Sequence, residues 1–195
     1  MMPGRQLIHT MRHLLFAAVI ALQSVTAMAA GAEVRAPSIT QTDEAVLLTG
    51  NFALTLSPAL TDAVNHGIPL VFQMEAELKR SRWYWTDETL YRARVDRRLT
   101  FNALVRNYRV SEGANGRNFL NLEDAVAYIA RPAEWRLPAG QARTGELIDV
   151  AIRFRLDPAF LPKPFQVVSF GDRDWRVDSD WRTFRMTVPP GTGGK

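Results

Sequence analysis

The stretch Leu70-Val-Phe-Gln-Met-Glu-Ala-Glu-Leu-Lys79 decides the fold class. Leu70, Phe72, Met74, Ala76 and Leu78 alternate with Val71, Gln73, Glu75, Glu77 and Lys79. Successive side chains of a strand point to opposite faces, so a period of two marks a strand with one buried face. Outward from it the pattern returns. Tyr91, Ala93, Val95, Leu99 and Phe101 fall on one side of the next strand and Arg92, Arg94, Asp96, Arg98 and Thr100 on the other, with Arg97 the single charge on the apolar side. This strand is expected to pair antiparallel with its predecessor. Val105 to Val110 leads into Ser111-Glu-Gly-Ala-Asn-Gly116, a cluster of turn formers, and Arg117 to Leu120 returns as the second arm of a hairpin. Ile148, Val150, Ile152, Phe154 and Leu156 make the clearest alternation, and Arg176 to Val188 reads as the closing strand.

Helical signals occur twice. Ser57 before Pro58 is an N-cap with proline in the first turn, and Leu60, Ala63 and Val64 form an apolar face that stops at Gly67. Asn121 caps a second helix with Glu123 and Asp124 in its first turn, where the helix dipole favours anions; Leu122, Ala125, Val126 and Ile129 face inward until Pro132. The architecture expected is mainly β: a single antiparallel β-sandwich-like domain with two short α-helices at its edges.

The first residues give an address. A basic start with Arg5 and Arg12 precedes the apolar run Leu14 to Leu22, which is too short to span a bilayer, and Ala27-Met-Ala29 has the small residues a signal peptidase requires. Residues 1–29 therefore read as a cleavable signal peptide and 30–195 as one periplasmic domain, with a flexible tail from about 189. Removing the leader takes two cations and no anions from the 24 Lys+Arg and 20 Asp+Glu, leaving a net charge of +2, a weak argument for a polyanion partner. There is no cysteine, hence neither a disulfide scaffold nor a site for a lipid anchor. Charges interrupt every later apolar stretch, so no transmembrane segment is expected after cleavage.

Catalytic equipment is sparse. His9 and His13 leave with the leader, so His66 is the one histidine of the mature chain; at the end of the first helix it suits the dipole, and alone it makes a poor metal or triad centre. No Gly-x-Ser-x-Gly elbow or glycine-rich phosphate loop occurs. The chain is expected to be non-catalytic, without cofactor or metal. One segment invites chemistry: Asp172, Asp174, Asp178 and Asp180 would share a face if their segment were extended, and such a row could bind a divalent cation or act on a glycosidic bond. Arg173, Arg176 and Arg182 stand close enough to neutralise it, and a solvated face laced by ion pairs is the plainer reading.

From Lys79 to Arg109 nine cations face three anions, so the positive charge concentrates there. Arg80, Arg82, Trp83, Tyr84 and Trp85 form a basic-aromatic cluster of the kind that binds nucleic acid or makes an interaction hot spot; export argues against nucleic acid and for an envelope or membrane-protein partner, anionic lipid or lipopolysaccharide. The alternative is that Trp83 and Trp85 cap the core while the arginines ladder with acids on the neighbouring strand. Leu161-Pro-Lys-Pro-Phe165 could present Lys163 and Phe165 in an extended form, or its prolines could simply stop strands from continuing.

Leu48-Thr-Gly-Asn-Phe52, Leu54-Thr-Leu-Ser-Pro58, Arg82-Trp-Tyr-Trp85, Leu161-Pro-Lys-Pro-Phe-Gln166, Arg173-Asp-Trp175 and Ser179-Asp-Trp181 stand in an order that resembles a family of exported proteobacterial proteins catalogued as domain of unknown function 4390. The resemblance implies an exported single domain and carries no activity or site residue with it. The function expected is a periplasmic interaction module using Arg80, Arg82, Trp83, Tyr84, Trp85, Lys163 and Phe165. The alternative is a carboxylate-dependent hydrolase or cation-binding protein built on Asp172 to Asp180.

Overall fold

The computed structural model describes residues 31–42, 44–80, 88–138 and 140–191. Two antiparallel sheets carry the chain. The smaller is built from β1 (Gly31–Gln41), β2 (Ala45–Thr55) and β7 (Ala133–Pro138), in the order β1-β2-β7. The larger is built from β3 (Leu70–Arg80), β4 (Glu88–Asn102), β5 (Asn107–Glu112), β6 (Asn115–Phe119), β8 (Leu147–Leu156) and β9 (Arg182–Thr187), in the order β6-β5-β4-β3-β8-β9.

The alternation at Leu70–Lys79 is realised at the centre of the larger sheet. Leu70, Phe72, Met74, Ala76 and Leu78 are all buried, flanked by β4 on one side and by β8 on the other, whose Ile148, Val150, Ile152, Phe154 and Leu156 are buried too. Facing them are Val46, Leu48 and Phe52 of β2 with Trp135 and Leu137 of β7. An aromatic chain joins the layers: Phe52 meets Trp135 edge-on at 6.4 Å and Phe154 at 5.3 Å, and Phe154 meets Phe72 at 5.8 Å. Gly50 lies opposite Ala133, beneath the Trp135 ring; a Cβ there would come within 2.8 Å of it, so the glycine makes room for the indole.

Helix α1 (Pro58–Asn65) is capped by Ser57, whose hydroxyl accepts the Leu60 N–H at 3.1 Å, and the chain leaves it through Gly67 at φ 84°. Helix α2 (Leu122–Ile129) is capped by Asn121, which accepts the Asp124 N–H at 2.8 Å. Both lie where the sequence places them. The hairpin β5–β6 is tighter than expected: Ser111, Glu112, Asn115 and Gly116 stay in the ladder, and only Gly113 and Ala114 make the turn, with Gly113 at φ 56°.

Two expectations fail between β8 and β9. The closing strand begins at Arg182 rather than Arg176; before it only Asp178 bridges to Arg155. A third helix, α3 (Lys163–Gly171), stands where the prolines suggested an extended connection. Pro162 occupies its N-cap and Pro164 its first turn, where a missing N–H costs nothing and a fixed φ already suits the helix. Short 3₁₀ turns at Pro158–Phe160 and Arg173–Trp175 flank it. This excursion folds over one end of the larger sheet's outer face, where the Asp157 N–H donates to Val71 O at 2.8 Å and Gln73 donates to the Asp157 carboxylate at 2.6 Å. That cover explains why Val71 and Gln73 are buried although they point away from the core. No helix among the described residues is long and apolar enough to cross a membrane.

Candidate functional site

The pleat of β4 divides the cations of the basic segment between two destinations. Arg92, Arg94 and Arg98 fall on the outer face and are exposed, and Arg109 of β5, opposite Thr100, joins them. Arg92 pairs with Glu77 at 3.0 Å and Arg94 with Asp96 at 3.1 Å. Arg98 lies over the Phe160 ring at 5.9 Å, and neither it nor Arg109 makes an ion pair among the described residues.

Arg97 takes the opposite course. Only 3% exposed, it donates to Glu112 at 2.7 Å and to the backbone oxygens of Ile129 at 2.8 Å, Pro132 at 3.1 Å and Arg131. These carbonyls lie at the end of α2, where the last turn of a helix leaves acceptors unpaired. The charge that interrupts the apolar side of β4 therefore caps a helix laid across the sheet. Sequence alternation shows the exception at Arg97 but not its partners, because α2 lies 25 or more residues further along.

Arg80 is likewise engaged internally. Its guanidinium binds the Glu146 carboxylate and, at 2.9 Å, Glu88, clasping the ends of β3 and β4 to the loop before β8. The Arg80 hydrogen bond, outweighing burial, holds the Glu146 carboxyl below its ordinary range, and Arg80 is correspondingly raised. Arg80 thus serves as a strut, with little left over for a partner. Arg82, Trp83, Tyr84 and Trp85 lie outside the described residues.

Lys163 and Phe165 do not project together from an extended segment. Phe165 turns inward and stacks on Trp175 at 5.0 Å with 26° between the planes, while Lys163 is exposed at the start of α3. Trp175 is partly buried and Trp181 is 40% exposed.

Helix α3 turns Phe165 inward but leaves its other large apolar side chains outside. Its buried residue is Ser169, whose hydroxyl donates to Gln166 O at 2.7 Å, whereas Val167 and Phe170 are each 76% exposed and Val168 43%. Lys163, Val167 and Phe170 are spaced i, i+4, i+7 and so lie along one stripe. Beside the helix is a cleft of about 200 Å³ lined by Leu156, Phe170, Trp175 and Val177 with Arg155, Arg176 and Asp178 at its polar edge. Neither the exposed stripe nor the cleft is apparent in the sequence, although Phe165-Gln-Val-Val-Ser-Phe170 contains the signal: placing Phe165 inward on a helix sends Val167 and Phe170 out.

The four aspartates do not form a row, because a 3₁₀ turn and a left-handed residue, Asp180 at φ 54°, break the extended run. Asp172 spends a carboxylate oxygen on the Asp174 N–H at 2.9 Å. Asp178 accepts Arg153 Nε at 2.9 Å and the Asp180 N–H at 3.0 Å. Burial raises the Asp178 carboxyl, but those hydrogen bonds and the nearby arginines outweigh it, so the group is lowered and stays ionised. A carboxylate held in that state is poorly suited to act as a general acid. Among the described residues no group of three His, Asp or Glu could hold a metal ion. His66 Nδ1 lies 2.7 Å from Asp62 O at the end of α1, the local role its position suggests.

A family model described as domain of unknown function (DUF4390) matches residues 29–185, and the chain belongs to that family. No curated protein and no solved structure matches it.

Proposed function

We propose that this member of the DUF4390 family is a non-catalytic interaction module of the periplasm that docks an anionic partner against the outer face of its larger sheet. The observation that carries this reading is the asymmetry of the charge: Arg92, Arg94, Arg98 and Arg109 stand exposed together on one sheet face, and two of them lack an acid partner among the described residues. Of the acids that could have served chemistry, Asp178 is committed to Arg153 and a turn amide, and Asp172 to a turn amide. Arg82, Trp83, Tyr84 and Trp85, in the chain joining β3 to β4, belong to the same proposal. Arginine on a rigid strand suits such a role because its planar guanidinium grips carboxylate or phosphate with two hydrogen bonds.

The test is site-specific photocrosslinking in cells from positions 98 and 109, with position 62 on α1 as control, in the wild type and in R98E/R109E. Crosslinks confined to the sheet positions and lost on charge reversal, at unchanged melting temperature, support the reading. Crosslinking that is equal at position 62, or indifferent to charge reversal, overturns it.

A further inference from the structure

We infer that the anionic partner is a phospholipid surface, and that α3 enters it; this rests on the interaction-module reading and names its partner. The inference begins from the inverted helix. A short helix folded onto a sheet ordinarily turns its apolar residues inward, yet α3 buries Ser169 and leaves Val167 and Phe170 at 76% exposure with Val168 beside them. Scattered single apolar residues on a surface mean little, whereas three within about one turn of one helix form a patch.

The size of the patch argues for lipid over protein. Three side chains of one short helix cover far less than the ~800 Å² per partner of a standard protein interface. Entry into a bilayer interface has no such threshold, because the apolar acyl region meets whatever side chains reach it. Phe170 and Val167 are followed along the same stripe by Lys163, so one line of the helix carries two apolar groups and then a cation. On a helix lying in an interface this stripe shares one depth, so Val167 and Phe170 enter the apolar boundary while the Lys163 stem lies beside them and its ammonium snorkels back to the headgroups.

The charges around the patch agree. Arg173 and Arg176 are exposed just beyond the helix, and Arg98 reaches the same end of the sheet over Phe160, itself 44% exposed. With Lys163 these are four cations against the exposed Asp172, Asp174 and Asp180; Asp172 accepts a backbone N–H, while Asp157 and Asp178 are engaged by Gln73 and Arg153. Each cation near an anionic bilayer adds a favourable term that salt screens. The helix is also well placed to bear load. Phe165 stacks on Trp175, the Ser57 hydroxyl donates to Asp174 O, and Gln166 donates to Leu161 O at 2.7 Å, so both ends are tied to the body while the outward stripe carries no structural duty.

Flotation of the purified protein with phosphatidylcholine vesicles, with and without a third of phosphatidylglycerol, tests this. The expected result is binding to the anionic vesicles that weakens with added salt, and a fall in partition coefficient of about tenfold or more for V167S/F170S. Both positions are exposed, so the variant should fold, and an unchanged melting temperature verifies it. Equal binding of wild type and V167S/F170S, or equal binding to neutral and anionic vesicles, overturns the inference. So does an absence of vesicle binding; if photocrosslinks from positions 98 and 109 persist in that case, the partner is a protein and the interaction-module reading survives alone.

Discussion

Phe154 and Phe170 are the same side chain in neighbouring elements with opposite fates: the first is fully buried in β8, the second 76% exposed on α3. In β8 the backbone is paired with β3 on one side and, at Phe154 itself, bonded to Ser179 on the other, so the pleat alone decides that Phe154 points at Phe52 and Phe72. Helix α3 has no such ladder. Its rotation is set by what anchors it, the Phe165–Trp175 stack and the Ser169 hydroxyl on the buried side, and those anchors oblige Val167 and Phe170 to face solvent. The rotation is thus set by the anchors rather than by the number of apolar side chains the helix buries.

The contrast is most directly broken by truncating both rings. Phe154→Ala should cost about 3–5 kcal/mol, as large-to-small changes in a packed aromatic core do. Phe170→Ala should change stability by no more than about 0.5 kcal/mol. Urea denaturation of both variants measures the difference; comparable losses would mean that Phe170 is buried in solution.

Legibility in the sequence follows the same division. The central strands and the caps of α1 and α2 are legible because each rests on neighbours two to four residues away, and the β3–β4 pairing follows from the two strands being consecutive. Strands β1 and β2 carry no alternation as clean as that of β3; β7 alternates Ala133, Trp135 and Leu137 with Glu134 and Arg136 but is short, and assembly of the second sheet depends on pairings such as Leu48 with Trp135, far apart in the chain. The helix in segment 157–181 is not legible for a further reason. Prolines 162 and 164 are compatible with an extended connector and with a helix start, and only contacts to Val71, Gln73 and Ser57 favour the second. The four aspartates were numbered as if on a strand that the 3₁₀ turn prevents. Of the candidate binding residues, Arg80 proved internal for the same kind of reason: Glu146 is 66 residues away.

Adjacent arginines sharpen the comparison at the next level of energy. Arg97→Met should cost about 3 kcal/mol, since it leaves Glu112 and several carbonyls at the end of α2 without their donor. Arg98→Met, one residue on and facing solvent, should stay within about 0.5 kcal/mol. Hydrogen exchange adds a local readout: protection in α2 should fall in the first variant alone. If α2 stays protected, Arg97 is a bystander and the break in the alternation has another cause.

The smallest effect is the one that separates a clasp from a binding residue. The Arg80 hydrogen bond keeps Glu146 ionised below its ordinary range, so the pair adds stability that is present above the unfolded carboxylate value near pH 4 and fades as pH falls through the lower folded value. Glu146 is mostly buried and Arg80 about a quarter exposed, so Glu146→Gln should cost about 1–2 kcal/mol at neutral pH. The gap between wild type and variant should then close as the solution is acidified below pH 4. Asp178, lowered through Arg153, titrates in the same direction, so the wild type of the comparison should itself lose stability in acid and only the difference isolates the clasp. A gap independent of pH would assign the loss to packing of the loop before β8. No gap at all would free Arg80 from its structural role and return it to the exposed cations available to an anionic partner.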